Sequence, residues 1–105
     1  MIPPVVGGYT IYTKRDCIFC DKAKELLHNE KVFVVGCDEF DRELFLEFID
    51  KLTPYSHRTF PYIFKDNVFI GGFAETERYK EAREVKNRLF KSQKTLKSPY
   101  ILLDI

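Results

Sequence analysis

The sequence predicts an α/β fold, a four-stranded mixed β-sheet flanked by helices on both faces in the order β-α-β-α-β-β-α. Three observations carry that prediction. Short β-branched and aromatic runs alternate with helical stripes over the first half of the chain. Two apolar runs then flank Lys65-Asp66-Asn67, the pattern of a hairpin. A charged helical pattern closes the plan, and alternating elements followed by a hairpin and a covering helix imply a mixed sheet.

Each element has its own signal. Tyr9-Thr10-Ile11-Tyr12 follows Gly7-Gly8 and reads as a short strand. Cys20 to Asn29 carries Ala23, Leu26 and Leu27 at helical spacing. Val32-Phe33-Val34-Val35 is continuously apolar and ends at Gly36, which predicts a strand buried on both faces. Phe40, Leu44, Phe45, Phe48, Ile49 and Leu52 form the strongest stripe, with Asp38 and Asp41 as candidate caps and Thr53-Pro54 as the stop. Tyr62-Ile63-Phe64 and Val68-Phe69-Ile70 are the hairpin strands, broken by Gly71-Gly72. Glu75 to Phe90 places Tyr79, Ala82, Val85 and Leu89 on one side of a helix and alternating charge on the other, a solvated face. Residues 1–8 are then a lead-in, 9–90 the domain, and 91–105 an extension with a basic connector and the apolar patch Tyr100-Ile101-Leu102-Leu103.

Composition narrows the class. The chain has 105 residues, enough for one domain, and ten Phe with six Tyr make an aromatic core. Seventeen basic against sixteen acidic residues leave a net charge of +1, which removes the long-range field of a dedicated nucleic-acid binder. No apolar run approaches the ~20 residues of a membrane span, and the first residues lack a signal-peptide pattern. Three cysteines are too few and odd in number for a disulfide framework. The expectation is a cytoplasmic monomer that binds neither nucleic acid nor membrane.

Cys17-Ile18-Phe19-Cys20 sits between the first strand and the first helix. Unpaired N–H groups and the positive end of the helix dipole stabilise a thiolate there. Lys14 and Arg15 add positive charge, which Asp16 opposes. Cys17 comes first and is the expected nucleophile; Cys20, one turn on, faces the same way and can attack a mixed disulfide on Cys17. A zinc site would need four ligands, and Cys37, His28 and His57 are not paired at ligand spacing. Cys37 is expected to be a buried bystander, and His28 and His57 surface or structural residues.

Two further junctions stand out. Thr59-Phe60-Pro61 precedes the hairpin, and a cis Phe60–Pro61 bond would present the Phe60 backbone beside the cysteines, although a trans proline at a strand start is commoner. Gly71-Gly72-Phe73-Ala74-Glu75 joins the last strand to the last helix, as a plain turn or as a helix start whose N–H groups bind a carboxylate.

Together these segments resemble the glutaredoxin family within the thioredoxin fold. Tyr12-Thr13-Lys14-Arg15-Asp16-Cys17-Ile18-Phe19-Cys20 looks like the family's Y-T-K-x-x-C-P-Y-C, Thr59-Phe60-Pro61 like its T-V-P, and Ile70-Gly71-Gly72-Phe73-Ala74-Glu75 like its I-G-G-x-D-D. The resemblance runs from about Tyr9 to Phe90, and the absence of Trp sets the chain apart from thioredoxins. It implies glutathione-dependent thiol–disulfide exchange on glutathionylated or disulfide-bonded proteins, with Cys17 and Cys20 catalytic. It further implies a glutathione site in which Lys14 meets the glycyl carboxylate and Phe60, flanked by Thr59 and an expected cis Pro61, meets the cysteinyl backbone. Gly72, Phe73, Ala74 and Glu75 would meet the γ-glutamyl end, Phe19 would flank the tripeptide, and Arg58 is a further carboxylate contact. No resident metal is implied by the dithiol reading. Two departures count. Ile18 replaces the usual proline, and some members lacking it resemble proteins that bridge a two-iron two-sulfur cluster between two chains with glutathione as co-ligand, which thiolate ligation makes chemically reasonable. Ala74-Glu75 replaces two acidic residues, which weakens an exposed charge contact worth ~1 kcal/mol.

Overall fold

The computed structural model describes the backbone of residues 1–96 and the side chains of residues 1–89. The elements are β1 Tyr9–Thr13, α1 Ile18–Leu26, β2 Val32–Gly36, α2 Arg42–Asp50, β3 Tyr62–Lys65, β4 Val68–Gly71 and α3 Phe73–Leu96. They form one sheet in the order β2-β1-β3-β4. β1 runs parallel to β2, from Tyr9 opposite Val32 to Thr13 opposite Gly36, and antiparallel to β3. The β3–β4 hairpin turns at Asp66 and Asn67, both at positive φ, as a two-residue type I′ turn requires. Lys65, expected in the turn, completes β3.

Alternation along β1 divides the core. Tyr9 and Ile11 pack with Ala23, Leu27, Phe73 and Tyr79 on the face covered by α1 and α3. Tyr12 packs with Phe45, Ile49, Tyr62 and Phe64 on the face covered by α2. The four-stranded mixed sheet with helices on both faces is therefore as predicted. Asp41 is the cap of α2, its carboxylate accepting from the Glu43 and Leu44 amides at 2.9 and 3.1 Å. Asp38 serves elsewhere, accepting the Arg15 amide at 2.8 Å.

Three expectations are corrected. β2 is not buried on both faces, because it is an edge strand: Phe33 and Val34 are 40% and 50% exposed. α1 starts at Ile18 and ends at Leu26, since Cys17 already occupies the capping position. α3 starts at Phe73 and continues past Phe90 to Leu96. No Gly or Pro interrupts the sequence between Gly72 and Pro99, so nothing local stops the helix at residue 90. The apolar patch at 100–103 lies outside the described residues.

The lead-in is tied down by polar contacts. The Tyr12 hydroxyl donates to the Ile2 carbonyl at 2.6 Å, and the Gly7 and Gly8 amides donate to the Asp66 carboxylate at 2.7 and 3.2 Å. These contacts hold the N-terminal segment and the β3–β4 turn together. The end of the sheet carrying the cysteines is where β1, α1, β3 and α3 meet.

Candidate functional site

Cys17 is the N-cap of α1, with extended backbone dihedrals and a sulfur that accepts the Cys20 amide at 3.2 Å. Cys17 and Cys20 are joined in a disulfide. Cys20 is fully buried, whereas Cys17 is half-buried. An incoming thiol therefore meets Cys17 first. The loop entering this cap is held by Asp38, which takes the Arg15 amide and sits 3.4 Å from its guanidinium. The Arg15 amide and guanidinium hold the Asp38 carboxyl below its usual range. Arg15 is thus committed to Asp38 rather than to the cysteine.

The Phe60–Pro61 bond is cis, and the Phe60 carbonyl oxygen lies 3.8 Å from Cys17 Sγ. The Phe60 ring stacks on Phe45 at 5.3 Å and meets Tyr62 edge-on at 5.0 Å. Two recesses open on either side of Phe60. One, of about 330 Å³, is lined by Phe19, His57, Thr59, Phe60, Pro61, Gly72, Phe73, Ala74 and Glu75. The other, of about 220 Å³, is lined by Lys14, Cys37, Asp38, Phe40, Arg42, Phe45 and Phe60. The first is bounded by Phe19 and Phe73, whose rings lie 6.0 Å apart. The second has two cations, with Lys14 Nζ 5.7 Å above the Phe60 ring.

The start of α3 is built from the predicted glycine segment. Gly71 has a φ of +137°, and a Cβ there would fall 2.7 Å from that of Glu75, so glycine is required. Glu75 folds back to accept the Gly72 amide at 2.9 Å, and this bond holds its carboxyl below the usual range. The Thr76 hydroxyl donates to the Gly72 carbonyl at 2.9 Å. Glu75 is therefore a helix cap as well as a recess wall.

The structure gathers Phe19, Thr59, Phe60, Pro61, Gly72, Phe73, Ala74 and Glu75 into one recess and puts Lys14 in the other. Arg58 reaches neither: its guanidinium makes a two-pronged pair with Asp50 at 2.9 and 3.0 Å. Two residues were missed. Arg42, the first residue of α2, lines the recess with Lys14, and its sequence context gives no hint of this. His57 lines the larger recess, and its place two residues before Thr59 is a signal that was available. Cys37 is the buried thiol expected; burial pushes it up to about 11.

A mixed sheet of this order, with a disulfide at the start of α1 facing a cis proline, defines a thioredoxin-fold dithiol protein. The family model for glutaredoxin matches residues 9–70. Glutaredoxin-2, mitochondrial, of Rattus norvegicus is 37% identical over 78 residues, covering 70% of this chain and 48% of that protein. The Homo sapiens protein of that name is 36% identical, over 70% of this chain and 46% of its own. The chain spans about half the length of the curated relatives it matches. Among solved structures, glutaredoxin 1 from Francisella tularensis complexed with cacodylate superposes with a TM-score of 0.63 at 27% identity, over 75% of this chain and 95% of that one. The dithiolic glutaredoxin 2-C-Grx1 from Trypanosoma brucei brucei gives 0.62 at 26% identity, over 75% and 82%. The chain belongs to the glutaredoxin family.

Proposed function

We propose that the chain is a glutathione-dependent thiol–disulfide oxidoreductase that works through Cys17 with Cys20 as the resolving thiol. The observation that carries this reading is the position of Cys17 Sγ, on the cap of α1 and 3.8 Å from the Phe60 carbonyl, where Phe60 is shared by two recesses. A tripeptide with a charged group at each end fits that layout. Its cysteine lies at Phe60, its glycyl carboxylate at Lys14 and Arg42, and its γ-glutamyl end at the start of α3.

The Cys17 thiolate attacks the glutathione sulfur of a protein–glutathione mixed disulfide. The protein thiolate leaves and takes a proton, and Cys17 carries the glutathione. A second glutathione thiolate then attacks that sulfur, forming oxidised glutathione and regenerating the Cys17 thiolate. In the dithiol branch, Cys20 attacks Cys17 instead, releases glutathione and closes the Cys17–Cys20 disulfide, the state of the structure. The N–H of Cys20 and the start of α1 favour the thiolate at each return. This chemistry needs a reducing pool of glutathione. The cytoplasm expected from the sequence would supply such a pool, while the curated relatives carry mitochondrial names.

The test is a coupled assay of glutathione-dependent reduction of a glutathionylated peptide. Cys17→Ser is expected to abolish turnover and Cys20→Ser to retain much of it. A wild-type chain without turnover would refute the reading, and equal losses in both variants would reject the single-nucleophile mechanism.

A further inference from the structure

His57 lies outside the three segments that resemble the family's motifs. It lines the larger recess, and its Nε2 is sealed from solvent with no hydrogen-bond partner among the described residues. A buried nitrogen in that condition is costly unless something else supplies the partner. The ring is held edge-on against Tyr62 and Phe69, with centroids 4.8 and 5.4 Å away, contacts that fix its place without using its nitrogens.

What the nitrogen faces is informative. A Cβ added at Gly72 would lie 3.3 Å from His57 Cε1 and 3.6 Å from Nε2, so the bare glycine lets the imidazole lie against the start of α3. The first α-helical bond there runs from the Thr76 amide to the Gly72 carbonyl, and the Glu75 carboxylate takes the Gly72 and Glu75 amides, which leaves the Phe73 and Ala74 N–H groups of the first turn without a helical partner. Those donors and the helix dipole favour an anion. Glu75, the acidic side chain of this corner, is already engaged by the Gly72 amide and lies 3.7 Å from Arg78. Ala74 has no polar group to offer.

We infer that His57 is a specificity-determining residue of the recess, donating from Nε2 to the α-carboxylate of the γ-glutamyl end while the N–H groups of α3 hold the same carboxylate. The assignment rests on the glutathione reading above and deepens it. An imidazole protonated at Nε2 is a donor in either its neutral or its charged form. This contact requires the ring, which already forms the recess wall, to turn about its Cβ–Cγ bond when the ligand enters, so that Nε2 reaches the open side. His57 thereby adds a donor at a corner where Ala74 offers no polar side chain.

The test uses three mixed disulfides of one reporter peptide: with glutathione, with 4-aminobutyryl-cysteinyl-glycine, which lacks the α-carboxylate, and with glutaryl-cysteinyl-glycine, which lacks only the α-amino group. His57→Phe keeps the aromatic packing and His57→Gln restores a donor. The inference expects His57→Phe to raise KM about tenfold or more for the glutathione and glutaryl substrates, the scale of one hydrogen bond to a charged group. KM for the 4-aminobutyryl substrate should not change, and His57→Gln should recover part of the loss. Partial unfolding of a variant lowers kcat through the active fraction and leaves KM alone. Unchanged KM for glutathione in His57→Phe, or an equal rise with the 4-aminobutyryl substrate, overturns the inference while leaving the activity standing. A wild-type chain inactive on all three overturns the glutathione reading and this inference with it.

Discussion

Cys37 offers the sharpest separation between a thiol that takes part and one that does not. It lines the same recess as Lys14, so proximity alone would allow it to react. Burial, with a smaller contribution from the Asp38 charge, pushes it up to about 11. At pH 7.5 roughly 3 in 10,000 molecules then carry the thiolate, against roughly one in ten for a free cysteine of pKa ~8.5, a deficit of about 300-fold. A more basic thiolate is also a better nucleophile. With a Brønsted slope of ~0.45 over ~2.5 units the gain is about 13-fold, so ionisation alone leaves Cys37 about twentyfold slower. Its 7% exposure slows it further. The assay is iodoacetamide labelling of the oxidised protein, where Cys37 is the free thiol, followed by mass spectrometry against a cysteine peptide. The expected result is labelling at least twentyfold slower than the peptide, rising tenfold per pH unit until the midpoint near 11. A rate within threefold of the peptide at pH 7.5 would refute the inference that burial disarms this thiol.

Other outcomes test the site and the fold. Lys14→Ala and Arg42→Ala should each raise KM for a glutathionylated peptide two- to fivefold, as exposed charge contacts of ~0.5–1 kcal/mol do, and the effect should shrink at 1 M salt. Initial rates at two ionic strengths would show it. Phe45→Leu, a change at a 3% exposed ring stacked on Phe60, should cost about 1–2 kcal/mol and lower Tm by about 5–12 °C in a thermal melt. Glu75→Gln removes a carboxylate held below its unfolded value by the Gly72 amide. A depressed carboxyl stabilises the fold above the unfolded pKa of ~4.3 and loses that contribution as pH falls through the folded one. The wild type should therefore melt about 2–6 °C above the variant at pH 6, after allowance for an exposed cap worth at most ~1 kcal/mol, and the gap should close toward pH 3.

Legibility in the sequence followed the range of the forces involved. The cysteine pair, the Phe60–Pro61 junction and the glycine segment were readable because each is a local device, a helix cap, a proline junction or a tight turn at fixed spacing. The position of β2 was not, since four apolar residues look alike in a central strand and at an edge; only the strand order places Phe33 and Val34 in solvent. Arg58 looked like a free cation because its partner Asp50 lies eight residues away at the end of α2, and the loop between them decides whether they meet. Arg42 and His57 were missed for the converse reason. Their place in the recesses comes from neighbours distant in sequence, Lys14 for one and Gly72 for the other. The alternation of charge along α3 predicted one solvated face, but Ala82, Val85 and Leu89 on the other side are exposed too, with only Tyr79 packed against the core. The pattern also carried no stop, so the helix outran its expected end.

The aromatic richness of the chain connects these observations. Phe45 stacks on Phe60, Phe60 and His57 both meet Tyr62, and His57 and Tyr55 both meet Phe69. This run of rings joins the α2 face of the core to the wall of the larger recess. Ring–ring contacts of this kind add ~0.5–1.5 kcal/mol each beyond burial and prefer particular angles, so they hold a wall in place as well as filling space. A binding wall made of core rings needs little ordering when a ligand arrives, which limits the entropic cost of association. The corresponding weakness is that core and site are coupled: loosening Phe45 shifts Phe60, the residue shared by both recesses. Stability and ligand affinity should therefore fall together in this part of the molecule, whereas Lys14 and Arg42, at the solvent margin of the other recess, change affinity without touching the fold.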